Sequence, residues 1–295
     1  MNETTAKHKE YFFEIDERGN VLHNGVEIDD KPFIHVFFTR LKENTTGKYN
    51  DYPYYSPSGY EINFVQPVDT PIVYQRWEND KLWYHDTLSV PFEQESLTVS
   101  DDGILYHTAK VGGKGRIAMP ALMHLTEHIE PFGEYFQFRH PDTGKTSIIE
   151  PTIMPSHLRF LHPRKDNTCF GCGDANPHGL QLSFLYNEQE KAAESWFVPP
   201  SFMNGSLGIM HGGFVALLLD EVMGKTLSGQ GVKAPTGTLN IRYHKPTPIG
   251  QILYLKGMQI SEHGRKFVIH GEIRDEHHQL LAEAEGLFIR IHITT

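Results

Sequence analysis

Residues 214–227 are apolar at almost every position, the exceptions being Asp220, Glu221, Lys225 and Thr226. A helix that is apolar nearly all round is not a surface helix; it has to be wrapped by other elements. The chain that follows supplies the wrapping. Extended stretches at 236–243, 251–261, 265–274 and 279–291 come in succession. Leu239, Ile241 and Tyr243 alternate with polar neighbours, as a half-buried strand should. His263-Gly264 and residues 275–278 fall where hairpin turns are needed. Upstream, 180–186 reads as a further strand with 193–198 able to pair with it. One buried helix followed by an antiparallel meander implies an α+β unit in which a sheet wraps a helix.

This unit accounts for only half of 295 residues, and that length favours two domains over one. Residues 10–150 have a different composition. They are rich in aromatic clusters such as Tyr11-Phe12-Phe13, Phe37-Phe38 and Tyr52-Pro53-Tyr54-Tyr55, punctuated by turn signals at Asn24-Gly25, Ser58-Gly59 and Asp102-Gly103. That pattern predicts a mainly antiparallel β-rich domain over 1–150. One helix is expected there, starting at Pro120 and ending before Pro131. Pro151, Pro155 and Pro163 mark a linker, so the second domain is placed at 155–295, and a fragment starting near Pro155 is expected to be soluble and dimeric.

With 27 Lys and Arg against 37 Asp and Glu, the formal charge is −10, which argues against a nucleic-acid binder. A few local cations suffice for an anionic ligand, so that class stays open. No apolar run is long enough to span a bilayer. The first ten residues mix Lys with Glu and lack the pattern of a secretory or mitochondrial leader, and the chain has only two cysteines. The expectation is a cytoplasmic protein.

His211-Gly212-Gly213 stands at the start of the buried helix. Two glycines let a ligand approach backbone N–H groups that have no partner within the helix and lie at the positive end of its dipole. Such a place polarises a carbonyl and stabilises an oxyanion. Asp220 lies about two turns further on, after Ala216-Leu217-Leu218-Leu219. A carboxylate in that company is costly unless it is paired or faces a cleft, which makes it a candidate general base; a structural hydrogen-bonding role at a subunit seam fits the spacing equally. Glu221 points about 100° away round the helix and is expected to be solvated or structural.

The run from His211 to Asp220 resembles the signature of the phenylacetate-type hotdog thioesterases. Cys169-Phe170-Gly171-Cys172-Gly173 with Asn176-Pro177-His178-Gly179-Leu180 is similar to the segment that leads into that fold, and residues 236–243 with Pro246 are similar to the strand after its helix. Gly264-Arg265-Lys266-Phe267 resembles a turn of the mammalian thioesterase superfamily member 4 branch. The resemblance implies a hotdog fold and hydrolysis of an acyl-CoA thioester, with coenzyme A as part of the substrate and no further cofactor. It implies that Gly212, with or without Gly213, donates its N–H to the thioester carbonyl, and that His211 positions the thioester. Asp220 would act as general base or nucleophile, held by the Thr236 hydroxyl. Asn204, Lys245, Arg265 and Lys266 are candidate substrate contacts. A homodimer, or a dimer of dimers, is implied as well. A non-catalytic acyl-CoA-binding module is the alternative use of the same groove. Residues 11–150 resemble an uncharacterised eukaryotic family, on stretches such as Phe37-Phe38-Thr39-Arg40-Leu41 and Ser56-Pro57-Ser58-Gly59, and that resemblance transfers no function.

Two other patterns bear on metals. Cys169 and Cys172 form a single CxxC; even with His178 near, a zinc site wants four ligands and a fourth is not apparent, so the stretch is read as a loop. His124, Glu127 and His128 fit H-x-x-E-H on the helix expected after Pro120, where two histidines four apart would share a face. That helix is short and no third ligand is placed. No metal is expected.

Overall fold

The computed structural model describes residues 9–291. By compactness the chain divides into two units: one runs to Ile129 and includes Ile149–Thr152, the other takes Glu130–Ile148 and the chain from Ile153 onward. None of the described helices is long and apolar enough to cross a membrane.

The first unit is β-rich. Lys9–Ile15 lies between Val21–His23, antiparallel to it, and Glu61–Pro67, parallel to it. A second ladder joins Val73–Tyr74, Lys114–Ile117, Leu105–Thr108 and Thr98–Val99, with Glu150 and Pro151 paired to the last. The aromatic clusters are core: Phe37 and Phe64 are buried, and Phe13 packs on Phe37 at 5.5 Å between ring centroids. Among the described residues two α-helices are present, where the sequence suggested one. The expected one is Met119–Thr126. The other, Lys31–Arg40, was hidden in the Phe37-Phe38 run, though its start is marked: the Asp30 side chain accepts from Phe33 N–H and a proline stands in the first turn. Because Met119–Thr126 stops at Thr126, Glu127 is its cap and His128 lies beyond it, its ring 5.6 Å from that of Trp77. The H-x-x-E-H residues therefore do not share a helix face.

The second unit is a seven-stranded antiparallel sheet against one long helix. In spatial order the strands are Leu158–Phe160, Leu185–Asn187, Ala192–Phe197, Leu253–His263, Lys266–Arg274, Leu280–Ile289 and, at the edge, Thr236–Tyr243. The expected strand at 180–186 is correct only at its end. Gln181 takes a positive φ of 50°, and the Leu180 and Leu182 amides donate to the carbonyls of Phe170 and Gly171 instead of to a neighbouring strand. A smaller cluster of Phe132, Ile148, Phe160 and Leu185 joins the hairpin before the sheet to its first strands.

The helix runs Gly212–Gly229 and buries Val215, Leu218, Leu219, Val222, Met223, Thr226 and Leu227. That three-four spacing turns one broad face to the sheet. The sheet meets it with its smallest residues. Gly257 and Gly271 are opposite one another in adjacent strands, Ala284 is opposite Gly271, and Gly286 is two residues on. A Cβ on Gly257 would lie 2.6 Å from both Val222 O and Thr226 Oγ1, and one on Gly271 would lie 2.8 Å from Met223 Cγ. The helix is thus seated nearly on the sheet backbone.

Candidate active site

The helix begins two residues before its apolar run, and this decides what its glycines do. His211 is the N-cap, in extended conformation, and its Nδ1 accepts the Gly213 N–H at 3.0 Å. The Phe214 and Val215 amides turn back to the His211 carbonyl. Of the first amides, Gly212 N–H has no acceptor among the described residues. Gly213, expected as a possible second donor, is engaged by the histidine ring. His211 is therefore a cap whose ring leaves the neighbouring amide as the available donor.

Asp220 is half-buried, and its Oδ1 accepts the Thr236 hydroxyl proton at 2.6 Å. The same edge strand reaches the other end of the site, where the Tyr243 hydroxyl donates to the Gly212 carbonyl at 3.0 Å. Tyr243 was legible in the sequence only as a half-buried strand residue, by its alternation with Leu239 and Ile241; it proves exposed, though on the helix side. A bulge at Gly237 puts Thr236 there too. The register with Leu280–Ile289 shifts between Thr236 and Thr238, so an even-numbered residue joins the odd-numbered 239, 241 and 243 on one face.

A cleft of about 340 Å³ opens beside Gly212, lined by Val215, Tyr243 and Lys245 among others. Asn204 pairs with Met210, just before His211, and donates to the Ser201 carbonyl. Arg265 and Lys266 lie at the opposite end of the edge strand: Lys266 is paired with Ile289, whose amide donates to Pro235 O. Within one chain Lys245 is therefore not brought together with Arg265 and Lys266.

Glu221 turns away from Asp220, as its 100° offset requires. It meets the segment carrying the two cysteines, where Cys169 Sγ–H donates to its Oε1 at 3.1 Å. Cys172 is buried, and burial, with the Glu221 charge adding to it, pushes its thiol up to about 12.

Comparison with known proteins bears on both units. A family model described as a domain of unknown function (DUF4505) matches residues 2–150, which is just over half of the 295. The chain belongs to the DUF4505 family. A second model, the thioesterase superfamily, matches residues 207–282 of this DUF4505 chain, from just before the helix through the first residues of the last strand. The C-terminal region therefore has the hotdog fold. The mouse acyl-coenzyme A thioesterase THEM4 is 32% identical over 114 residues, covering 38% of the DUF4505 chain and 49% of the mouse protein. The chain spans about half the length of the curated relatives it matches. Among solved structures, a thioesterase superfamily protein is 31% identical with a TM-score of 0.40, covering 42% of this chain and 60% of that one. A Streptococcus mutans protein bound to acetyl CoA is 20% identical with a TM-score of 0.34, covering 35% and 82%.

Proposed function

We propose that the second unit hydrolyses an acyl-CoA thioester to the free acid and CoA, with Asp220 as general base or nucleophile. One observation carries the reading. A carboxylate held by a hydroxyl at 2.6 Å lies on the same helix whose first amide has no partner among the described residues. Thr236 takes up one carboxylate oxygen and leaves the other for a water or a carbonyl carbon. Gly212 N–H is the donor for the oxygen on which negative charge develops.

The two parts lie eight positions apart, about 12 Å along the axis. A reacting carbonyl must have both attacker and oxyanion donor within about 3 Å, so one helix cannot supply both to the same substrate. Two copies with their helices antiparallel can: Gly212 of one then faces Asp220 of the other. Supporting this, Ala216 and Leu217, on the side of the helix that carries Asp220, are only half-buried, and the edge strand leaves one side of the sheet open. The same pairing brings Lys245 of one copy toward Arg265 and Lys266 of the other, a set of cations suited to the phosphates of CoA. The active species is accordingly a homodimer or a dimer of dimers.

The test is thiol release from a panel of acyl-CoA substrates by the chain and by Asp220→Asn. Turnover should appear with at least one substrate and fall by about 10²–10⁴ in the variant, the usual contribution of a positioned base. Its melting temperature should hold or rise, because a partly buried charge is removed. Undiminished turnover in Asp220→Asn would sink the assignment. Tight acyl-CoA binding with no turnover by the unaltered chain would identify a binding module instead.

A further inference from the structure

The side of the helix turned away from the proposed active site carries a second constellation. The donor atoms of Cys169, Cys172 and Glu221 all lie within 4.8 Å of one another. Cys172 is buried and the other two are partly so. From this geometry and the CxxC spacing we infer that Cys169, Cys172 and Glu221 bind a zinc ion that staples the 167–173 loop to the long helix.

In a tetrahedral site with Zn–S bonds of about 2.3 Å, neighbouring sulfurs stand about 3.8 Å apart. The two sulfurs need to draw together by no more than about 1 Å to meet that geometry, and Cys169 Sγ is already 3.1 Å from Glu221 Oε1. The loop is already shaped for it. Gly173 N–H closes the turn onto Cys169 O at 2.9 Å, and Asn167 Oδ1 accepts the Cys169 amide at 3.1 Å while Asn167 Nδ2 lies 3.8 Å from Cys172 Sγ. Gly171 makes room for the carboxylate: a Cβ there would lie 2.4 Å from Glu221 Cδ. Lys225, one turn on from Glu221, has its ammonium beside Cys172. Two thiolates and a carboxylate carry three negative charges, which a divalent ion and that ammonium together cancel. A borderline-soft cation fits this donor set, whereas calcium and magnesium ask for oxygens throughout. Among the described residues these three donors form the whole group, so the fourth position falls to water. The site does not depend on the thioesterase reading, and either can fail without the other.

The experiment uses the full chain purified without chelator. Zinc should be present at about one equivalent. After its removal, Co²⁺ should give the absorption of thiolate-to-metal charge transfer. Cys169→Ala should lose part of that absorption. Glu221→Gln should keep it while weakening zinc by more than the roughly 10–100-fold typical of an outer-shell change. Circular dichroism shows whether each variant is folded; the cobalt spectrum of the unaltered chain decides the matter even where a variant is not. A chain that gives no cobalt absorption overturns the site, as does a Cys169→Ala protein that binds metal equally well. A chain isolated with the two cysteines joined in a disulfide would overturn it too.

Discussion

At the scale of single residues, the available amide of Gly212 can be removed almost in isolation. Gly212 is the first helical residue, where proline is favoured because its missing N–H is not needed by the helix. His211 before it is already extended, with φ −61° and ψ 135°, which is what a following proline demands. A Cβ at 212 would find nothing nearer than the Tyr243 hydroxyl at 3.5 Å, an ordinary contact. Gly212→Pro should therefore keep its melting temperature and lose about 10²–10³ in kcat, the usual effect of deleting one oxyanion donor. Full activity in the folded variant would show that the amide is not used. Residue identity alone brought much of this into view. His-Gly-Gly at a helix start and an acid two turns on are physical signals for carbonyl chemistry. The link from Asp220 to Thr236 was available only through the resemblance, for a reason in the backbone. Alternation counted back from Leu239 puts position 236 on the outer face, and the bulge that reverses it leaves no trace in a period-two pattern beyond a glycine.

At the scale of elements, the seat of the helix carries a stability prediction. Ordinarily alanine suits a strand better than glycine. At Gly257 the added methyl meets a helix carbonyl 2.6 Å away, and a backbone atom cannot swing aside as a side chain does. Gly257→Ala should destabilise the chain by about 1–3 kcal/mol, the range for overpacking, measured as a shift in urea midpoint. A neutral result would mean that the helix is not held by this contact. The helix and the four strands after it were legible from periodicity because each is long and faces one core. Residues 180–184 were not. Their apolar residues look like a strand, but the amides of Leu180 and Leu182 are taken by the loop at 170–171, and hydropathy carries no record of where a backbone donor goes. The Lys31–Arg40 helix was missed because Phe37 and Phe38 suit strand and helix cores alike, and the cap at Asp30 was the signal to weigh.

At the scale of the whole molecule, the proposed pairing of two copies makes a sharp expectation. Gly212→Pro and Asp220→Asn chains should each be nearly inactive alone. Refolded together at random, half of the dimers are mixed and each mixed dimer holds one intact site, so about a quarter of full activity should return. No recovery on mixing would place both functional groups in one chain. The division into units bears on where the second can be cut. Phe132 and Ile148 are buried with Phe160 and Leu185, and the Phe132 ring stands 4.9 Å from that of Trp196. A fragment beginning at Pro155 forfeits both, about 1.5–3 kcal/mol apiece. One beginning at Glu130 should be the more stable of the two, and equal urea midpoints would refute this.

The glycine seat has a consequence for how such a chain can diversify. It splits the helix into a face with no tolerance for change and a face answerable only to the proposed partner copy. Toward the sheet, one extra methyl lifts the helix and carries Asp220 with it. On the other side, Ala216 and Leu217 stand half-covered beside the acid. Variants drawn at random for a new acyl preference should therefore yield survivors with changes at 216 and 217 and almost none at 257, 271 or 286. The room for a changed preference at the proposed site therefore lies on the helix face away from the sheet and not in the seat beneath it.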